Sequence, residues 1–385
     1  MPSEFFDVMI VGSGPAGTST ALHLLQRDPA WGSRLLILEK ERHPREKLCG
    51  GGLTRYGESL LGELGVLPLG VPHVNIREVR LRFEELTLVI HRDPIFRIAR
   101  RAEFDAWLIA CARDRGARLH EGEAVTGIEM RRDHVRVTTT HACYHAKVLV
   151  GADGSKGMVR VLAGLEGPSR AARLLEVITP EDPATTPEFV QQFATFDFTP
   201  MKHALQGYYW DFPSLVGGRA HMNRGLFDAR VQRHRPRAPL KHLLAQNLAA
   251  RARSLTDVEL QGHPLRWFDR QGPFSRPHVL LVGDAAGVDP LWGEGISFAL
   301  GYGKVAAQAI EAAFHSGDFS FHDYGRRILA DPLGRTLRLR RFVADLLYRS
   351  PGRRVCRLLL NAIPLVVSLR LFPMKNDICY IRRSA

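Results

Sequence analysis

The sequence predicts an α/β fold: a mainly parallel sheet wound with helices, interrupted by an inserted antiparallel sheet and followed by a helical tail. Three observations predict it. An apolar run at residues 7–11 leads through a glycine turn into a helix at 15–26 and a second apolar run at 35–38. Strand, helix, strand in that order is a unit whose strands lie parallel. The same apolar pattern returns at 147–150 and 278–282, each time ending in a glycine- and aspartate-containing turn. Between these runs, residues 79–90 and 135–139 alternate polar and apolar side chains, the period of antiparallel strands with one wet face.

The bulk composition agrees with a folded protein. At 385 residues the chain holds two or three packed domains, and its 45% apolar and 24% charged residues exclude disorder and repeat arrays. Five cysteines are scattered with no CxxC pair, so neither a zinc ribbon nor a disulfide framework is expected, and no metal site. Cys111, Cys143, Cys356 and Cys379 read as apolar filler. Asp7 interrupts the first apolar run, which lacks the basic start of a secretion signal. The apolar stretch 358–372 is broken by Asn361, Pro364 and Arg370, too short to span a bilayer. A cytoplasmic protein is expected, at most peripheral on the inner face of the membrane.

The first turn carries chemistry. Gly12-Ser13-Gly14-Pro15-Ala16-Gly17 sits between a strand and a helix, where glycines let backbone approach a pyrophosphate resting on the positive helix end. Glu39 closes the next strand 22 residues after Gly17, placed to accept from ribose hydroxyls, with Lys40 beside it. The context is that of a Rossmann-type dinucleotide domain and does not by itself separate FAD from NAD.

Two later segments do. Gly151-Ala152-Asp153-Gly154-Ser155 and Gly283-Asp284-Ala285-Ala286-Gly287 resemble the paired signatures of the p-hydroxybenzoate hydroxylase-like flavoprotein superfamily. That resemblance implies FAD. It implies that Asp284 holds the ribityl chain, with Asp153, Gly283, Gly295 and Ile296 around it and the following helix end facing the pyrophosphate. Arg101, four residues before Asp105, matches that superfamily's cofactor-side arginine. The expected organisation is a discontinuous FAD-binding domain at 1–78, 98–165 and 272–315. The antiparallel substrate domain takes 79–97 and 166–271, and a basic helical region 316–385.

Lys47-Leu48-Cys49-Gly50-Gly51-Gly52 and Tyr208-Tyr209-Trp210-Asp211-Phe212-Pro213 resemble the KxCGGG and YxWxFP signatures of the geranylgeranyl reductases, without departure. Leu291-Trp292-Gly293-Glu294-Gly295-Ile296 is similar to that family as well, and the resemblance covers residues 5–315. It implies an FAD-dependent reductase that saturates isolated double bonds of a polyprenyl lipid or quinone. Cys49, Tyr208 and Trp210 are then the catalytic candidates. Cys49, Gly50 and Gly51 would also lie against the cofactor, and Tyr208, Trp210, Phe212, Pro213 and Trp292 would meet substrate.

The residue chemistry suits that reading. An unactivated alkene is a poor hydride acceptor, so a proton must be supplied or cationic charge stabilised. A thiol stays protonated at neutral pH, more so in an apolar pocket, while nearby Lys47 pushes the other way; a thiol that only packs is the alternative. The aromatic side chains form either a prenyl slot or an ordinary core cluster. The WxWxIP-type motif of flavin halogenases is altered here at Tyr208 and Phe212, which argues against halogenation and leaves a monooxygenase open. A non-catalytic flavin protein interacting with membrane or quinone is the third reading. With no second GxGxxG, electrons come from NADPH without its own Rossmann domain or from a ferredoxin-type protein.

The formal charge is +13, and from 335 to 385 eleven Arg and one Lys face two Asp, a net of +10. Leu339, Phe342, Val343, Leu346 and Leu347 recur on one side of a helix, with Arg335, Arg338, Arg340, Arg341 and Arg349 elsewhere around it. This reads as a core-facing helix with a basic side or as an element lying on an anionic membrane. No nucleic-acid-binding signature accompanies the charge, so no nucleic-acid partner is expected.

Overall fold

The computed structural model describes residues 4–167 and 170–349 and the backbone of 378–383. The apolar stretch 358–372 lies outside the described residues. Five strands form a parallel sheet in the spatial order Val279–Leu281, Cys143–Gly151, Glu4–Val11, Leu35–Glu39 and Arg118–Glu121. Its centre carries Val8, Met9, Ile10, Leu36 and Ile37 with none of their surface exposed, as expected of strands covered on both faces. Helices Pro15–Arg27 and Ile296–Ser316 pack together over it. Strands Val125–Met130 and Val135–Thr139 extend it antiparallel through Cys143–Gly151.

The second sheet orders Gln261–Arg266, Ala171–Pro180, Arg219–Asp228, Gly207–Val216, Phe193–Asp197, His73–Phe83, Leu86–Ala99 and Ile378–Arg383. All neighbours are antiparallel except Phe193–Asp197 beside His73–Phe83, and Gly52–Thr54 adds to Leu86–Ala99. The alternation at 79–90 is therefore two strands of one hairpin. Their turn at Glu84–Glu85 contains no glycine or proline, and Glu84 itself takes the left-handed conformation at φ 55°.

The tail continues as helices Tyr324–Ala330 and Pro332–Arg349, but its last described segment is the strand Ile378–Arg383. The longer helix buries Leu333, Leu337, Ala344 and Tyr348; of the stripe its sequence suggests, Val343 and Leu347 pack against the core and Phe342 and Leu346 do not. Phe342 is 67% exposed and Leu346 48%, and both lie on the outward side with Arg335, Arg338 and Arg349. The reason is Arg340, which turns inward to Asp289 (2.7 Å) and Glu294 (2.5 Å) and brings its own face of the helix with it. Among the described residues no helix is long and apolar enough to cross a membrane.

Candidate active site

One cavity of about 1150 Å³ runs from the glycine turn of the parallel sheet to the face of the antiparallel one. Its polar end is built by the first strand–helix junction. Gly12 has φ 103°, and a Cβ there would lie 2.4 Å from the Ala152 carbonyl oxygen, so this turn accepts only glycine. The turn delivers Gly14 to the N-terminus of helix Pro15–Arg27. Two guanidiniums converge on that point: the side-chain position of Gly14 is 3.6 Å from Arg45 Nη2 and 3.9 Å from Arg101 Nη2. A helix start facing two arginines is a site for an anion such as a pyrophosphate.

Glu39 accepts from Ser13 N–H (3.0 Å) and Ser13 Oγ (2.7 Å). Burial opposes its charge, but Arg45 and Ser13 outweigh burial and hold the carboxyl below its ordinary range. Arg101 binds Asp105 with both arms, each at 2.8 Å. Burial again opposes the charge, and the two bonds to Asp105 more than offset it, raising the guanidinium further. Asp284 lies on the same wall and accepts from Ser155 Oγ at 3.3 Å. Asp153 caps residue Val159 through Oδ2, while its buried Oδ1 has no hydrogen-bond partner in the protein.

The apolar end follows from strand alternation. Tyr208, Trp210 and Phe212 share one face of Gly207–Val216 and line the cavity; Tyr209 and Asp211 point the other way, where Asp211 meets Arg224 at 2.9 Å. Phe196 packs edge-on to Tyr208, Phe212 and Trp292 at 5.1, 5.0 and 5.5 Å between ring centres. Tyr208 O–H donates to the Trp292 carbonyl. Gly225, opposite Trp210 on the neighbouring strand, makes room for the indole: a Cβ there would lie 2.3 Å from the ring.

The two motifs meet. The side-chain position of Gly50 is 3.0 Å from the Phe212 ring and 3.7 Å from Trp210 Nε1. Cys49 is partly accessible and lines the cavity at this junction. Burial pushes its thiol up, and Arg101, rather than Lys47, is the cation that most opposes the shift. Lys47 Nζ instead lies 2.9 Å from His263 Nε2. Burial and then Lys47 hold that imidazole down at about 3, so it is neutral.

Of the residues singled out from sequence, Gly12, Gly14, Pro15, Ala16, Glu39, Lys40, Cys49, Gly50, Gly51, Arg101, Asp153, Tyr208, Trp210, Phe212, Asp284, Trp292, Gly295 and Ile296 line this one cavity. Gly17, Gly283 and Pro213 do not. Gly17 packs against Ile10 and the Gly12 carbonyl, Gly283 against Ala16, and Pro213 is buried in its strand beside Met222. Several residues on or beside the site were not foreseen: Arg45, His263, Asn223, Glu176, Arg100 and Arg340. Arg45, a cation six residues after Glu39, and Arg100, next to Arg101, had a local signal; the others reach the site through long-range pairing.

Residues 6–302 match the family model described as an FAD binding domain. The chain is 27% identical to the digeranylgeranylglycerophospholipid reductase 2 of Methanopyrus kandleri, covering 82% of this chain and 79% of that one. It is 26% identical to the menaquinone reductase of Mycobacterium tuberculosis, covering 89% and 84%. Among solved structures it is similar to a geranylgeranyl bacteriochlorophyll reductase-like protein from Thermoplasma acidophilum, with a TM-score of 0.72 at 20% identity over 95% of this chain and 99% of that one.

Proposed function

The chain belongs to the FAD-binding-domain family and is an FAD-dependent oxidoreductase, and from that premise we propose that it saturates carbon–carbon double bonds of a polyprenyl lipid or quinone. The observation that carries this reading is the approach of Gly50 in the Cys49–Gly52 loop to Trp210 and Phe212, which puts a thiol and an aromatic wall in the lining of one cavity. The relatives named as reductases of a digeranylgeranyl lipid and of menaquinone support it.

The residues present fit the cofactor. Gly12, Gly14 and the helix N-terminus, with Arg45 and Arg101 aimed at Gly14, would hold the pyrophosphate; Glu39 and Lys40 would hold the adenosine side; and Asp284, Asp153, Gly295 and Ile296 the remainder. FAD, once reduced, supplies a hydride.

The protein supplies the rest. An isolated alkene accepts hydride only as a proton is added at its other carbon, and we assign that proton to the Cys49 Sγ–H, which lines the cavity. The hydrogen leaves sulfur as a proton, two C–H bonds replace one C=C π bond, and the thiolate regains its proton from solvent. Enclosure of Cys49 favours the protonated thiol needed at the start. Tyr208, Trp210, Phe212 and Trp292 exclude water and present ring faces to transient positive charge, worth about 0.5–2 kcal/mol each. Val79, Leu81, Ile90 and Phe96 continue the wall in apolar material suited to a prenyl chain. The outward stripe Arg335, Arg338, Phe342, Leu346 and Arg349 supports peripheral contact with the inner face of a membrane, where such substrates reside. Electrons would reach the site from NADPH or from a ferredoxin-type protein.

The test is anaerobic. Bound FAD is reduced with dithionite, geranylgeranyl lipids and menaquinones are added, and products are weighed by mass spectrometry. Products heavier by multiples of two hydrogens are expected and identify the carrier. A flavin that stays reduced until air is admitted, with no saturated product, would replace this reading with an oxygen-using monooxygenase.

A further inference from the structure

A second cavity of about 350 Å³ lies apart from the first and shares none of its lining residues. Ala171, Arg173, Arg230, Arg233 and Arg237 line it. Four guanidiniums thus face one concavity, and the carboxylate beneath them, Asp228, is 1% exposed with its oxygens committed: Oδ2 to Arg173 at 2.5 and 3.2 Å, Oδ1 to the Arg230 N–H at 3.3 Å. Both Asp228 oxygens are thus already taken up by Arg173 and Arg230. Arg230 holds the left-handed conformation at φ 59°, which side-chain-bearing residues seldom adopt, and its Nη1 is buried with no hydrogen-bond partner.

We propose that this groove is a phosphate-binding site. A phosphate group offers several acceptor oxygens to the planar forks of arginine and would satisfy the buried Nη1 while neutralising the convergence of charge. Burial disfavours the Arg230 charge; Asp228 supports it, and Arg173, Arg237 and Arg233 oppose it, so an added anion relieves an existing repulsion. The phosphate belongs to a lipid head group or to a free phosphorylated ligand. Position makes the first source reachable: Gln232 Nε2 (2.7 Å) and Arg235 Nη2 (3.2 Å) both donate to the Arg349 carbonyl, tying this segment to the end of the helix that exposes Phe342 and Leu346.

The site stands independently of the reaction proposed above, and its test uses the FAD-loaded full chain so that the cofactor site is filled. Inorganic phosphate is titrated by calorimetry at low ionic strength, and vesicles of phosphatidylglycerol or of phosphatidylcholine are sedimented with the protein. The triple variant Arg230→Gln, Arg233→Gln, Arg237→Gln is expected to weaken phosphate binding or phosphatidylglycerol binding by about tenfold or more, at unchanged FAD content. Should that variant fail to fold, the pair Arg233→Gln, Arg237→Gln, both exposed, carries the same expectation. Loss in the vesicle experiment assigns the phosphate to a lipid head group. Loss in the calorimeter with indifferent vesicles assigns it to a free ligand. Binding of both probes that is absent in the native chain, or unchanged in the variants, overturns the site.

Discussion

Asn223 donates from Nδ2 to the carbonyl oxygen of Cys49 at 2.9 Å, although the two are 174 residues apart. Its Oδ1 accepts from Trp210 Nε1 at 2.8 Å, so a single amide fixes the thiol-bearing loop to the aromatic strand. Asn223 is 1% exposed and Trp210 3%, so the indole N–H has no water to turn to. Replacing it with leucine leaves the buried Trp210 N–H unpaired, at about 1–3 kcal/mol, and frees the Cys49 loop from the strand. The expected result is a melting temperature lowered by several degrees with FAD still bound, read by calorimetry and flavin absorbance.

Cys49→Ser tests the proton donor. A serine hydroxyl keeps the shape but is a far weaker acid, so turnover on a prenyl lipid is expected to fall by about a hundredfold or more while FAD binding is unaffected. Because burial raises the Cys49 thiol, activity of the native enzyme should persist through neutral pH. It should decline only where the thiol ionises, above the ordinary thiol range. Full turnover by the serine variant would remove Cys49 from the chemistry.

Arg101 and Asp105 form a buried two-armed pair at the cofactor end. Arg101→Ala leaves the Asp105 carboxylate, which is 1% exposed, with Arg45 alone at 3.3 Å, and is expected to cost about 1–3 kcal/mol along with FAD retention. Arg101→Lys keeps the charge without the fork and is expected to hold FAD about tenfold more weakly, measured as flavin released on dilution.

Glu176 gives a pH signature. Burial raises its carboxyl from 4.5 to about 7, against the opposing pull of Arg100, whose Nη1 is 3.6 Å away, and of Asn223. Arg100 is itself shared with Glu46. Between those two values the folded protein keeps a proton that the unfolded chain has lost. Its contribution to stability is therefore present below pH 4.5 and lost as pH rises to 7, by up to roughly 3 kcal/mol. Glu176→Gln carries no titrating proton, and its unfolding free energy should vary less with pH across that window in urea titrations.

The parts of the site that could be read from sequence are those whose local geometry admits few residues. The Gly12 turn excludes any Cβ, and the helix and strand after it follow a short-range period, so the cofactor end was legible from residues 7–39. The hairpin His73–Phe83 to Leu86–Ala99 was read only in part, because Glu84 makes its turn without glycine or proline. The pattern of helix Pro332–Arg349 leaves its facing open: Val343 and Leu347 meet the core, while the inward Arg340, paired to two carboxylates, turns Phe342 and Leu346 outward. Asn223, Glu176 and His263 gave no signal, since each acts through a strand register that pairs residues far apart in the chain.

The cavity draws on the turn at Gly12, on Arg101, on the aromatic strand and on the helix start at Ile296. Strand Glu4–Val11 pairs with Cys143–Gly151, which in turn pairs with Val279–Leu281. A chain emerging from the ribosome therefore cannot close its cofactor compartment until residue 296 is out, and until then the apolar faces of its first strands stand without their cover. Nascent chains of this protein should depend on chaperones through most of their synthesis and become independent of them abruptly, near the point where flavin can first be captured.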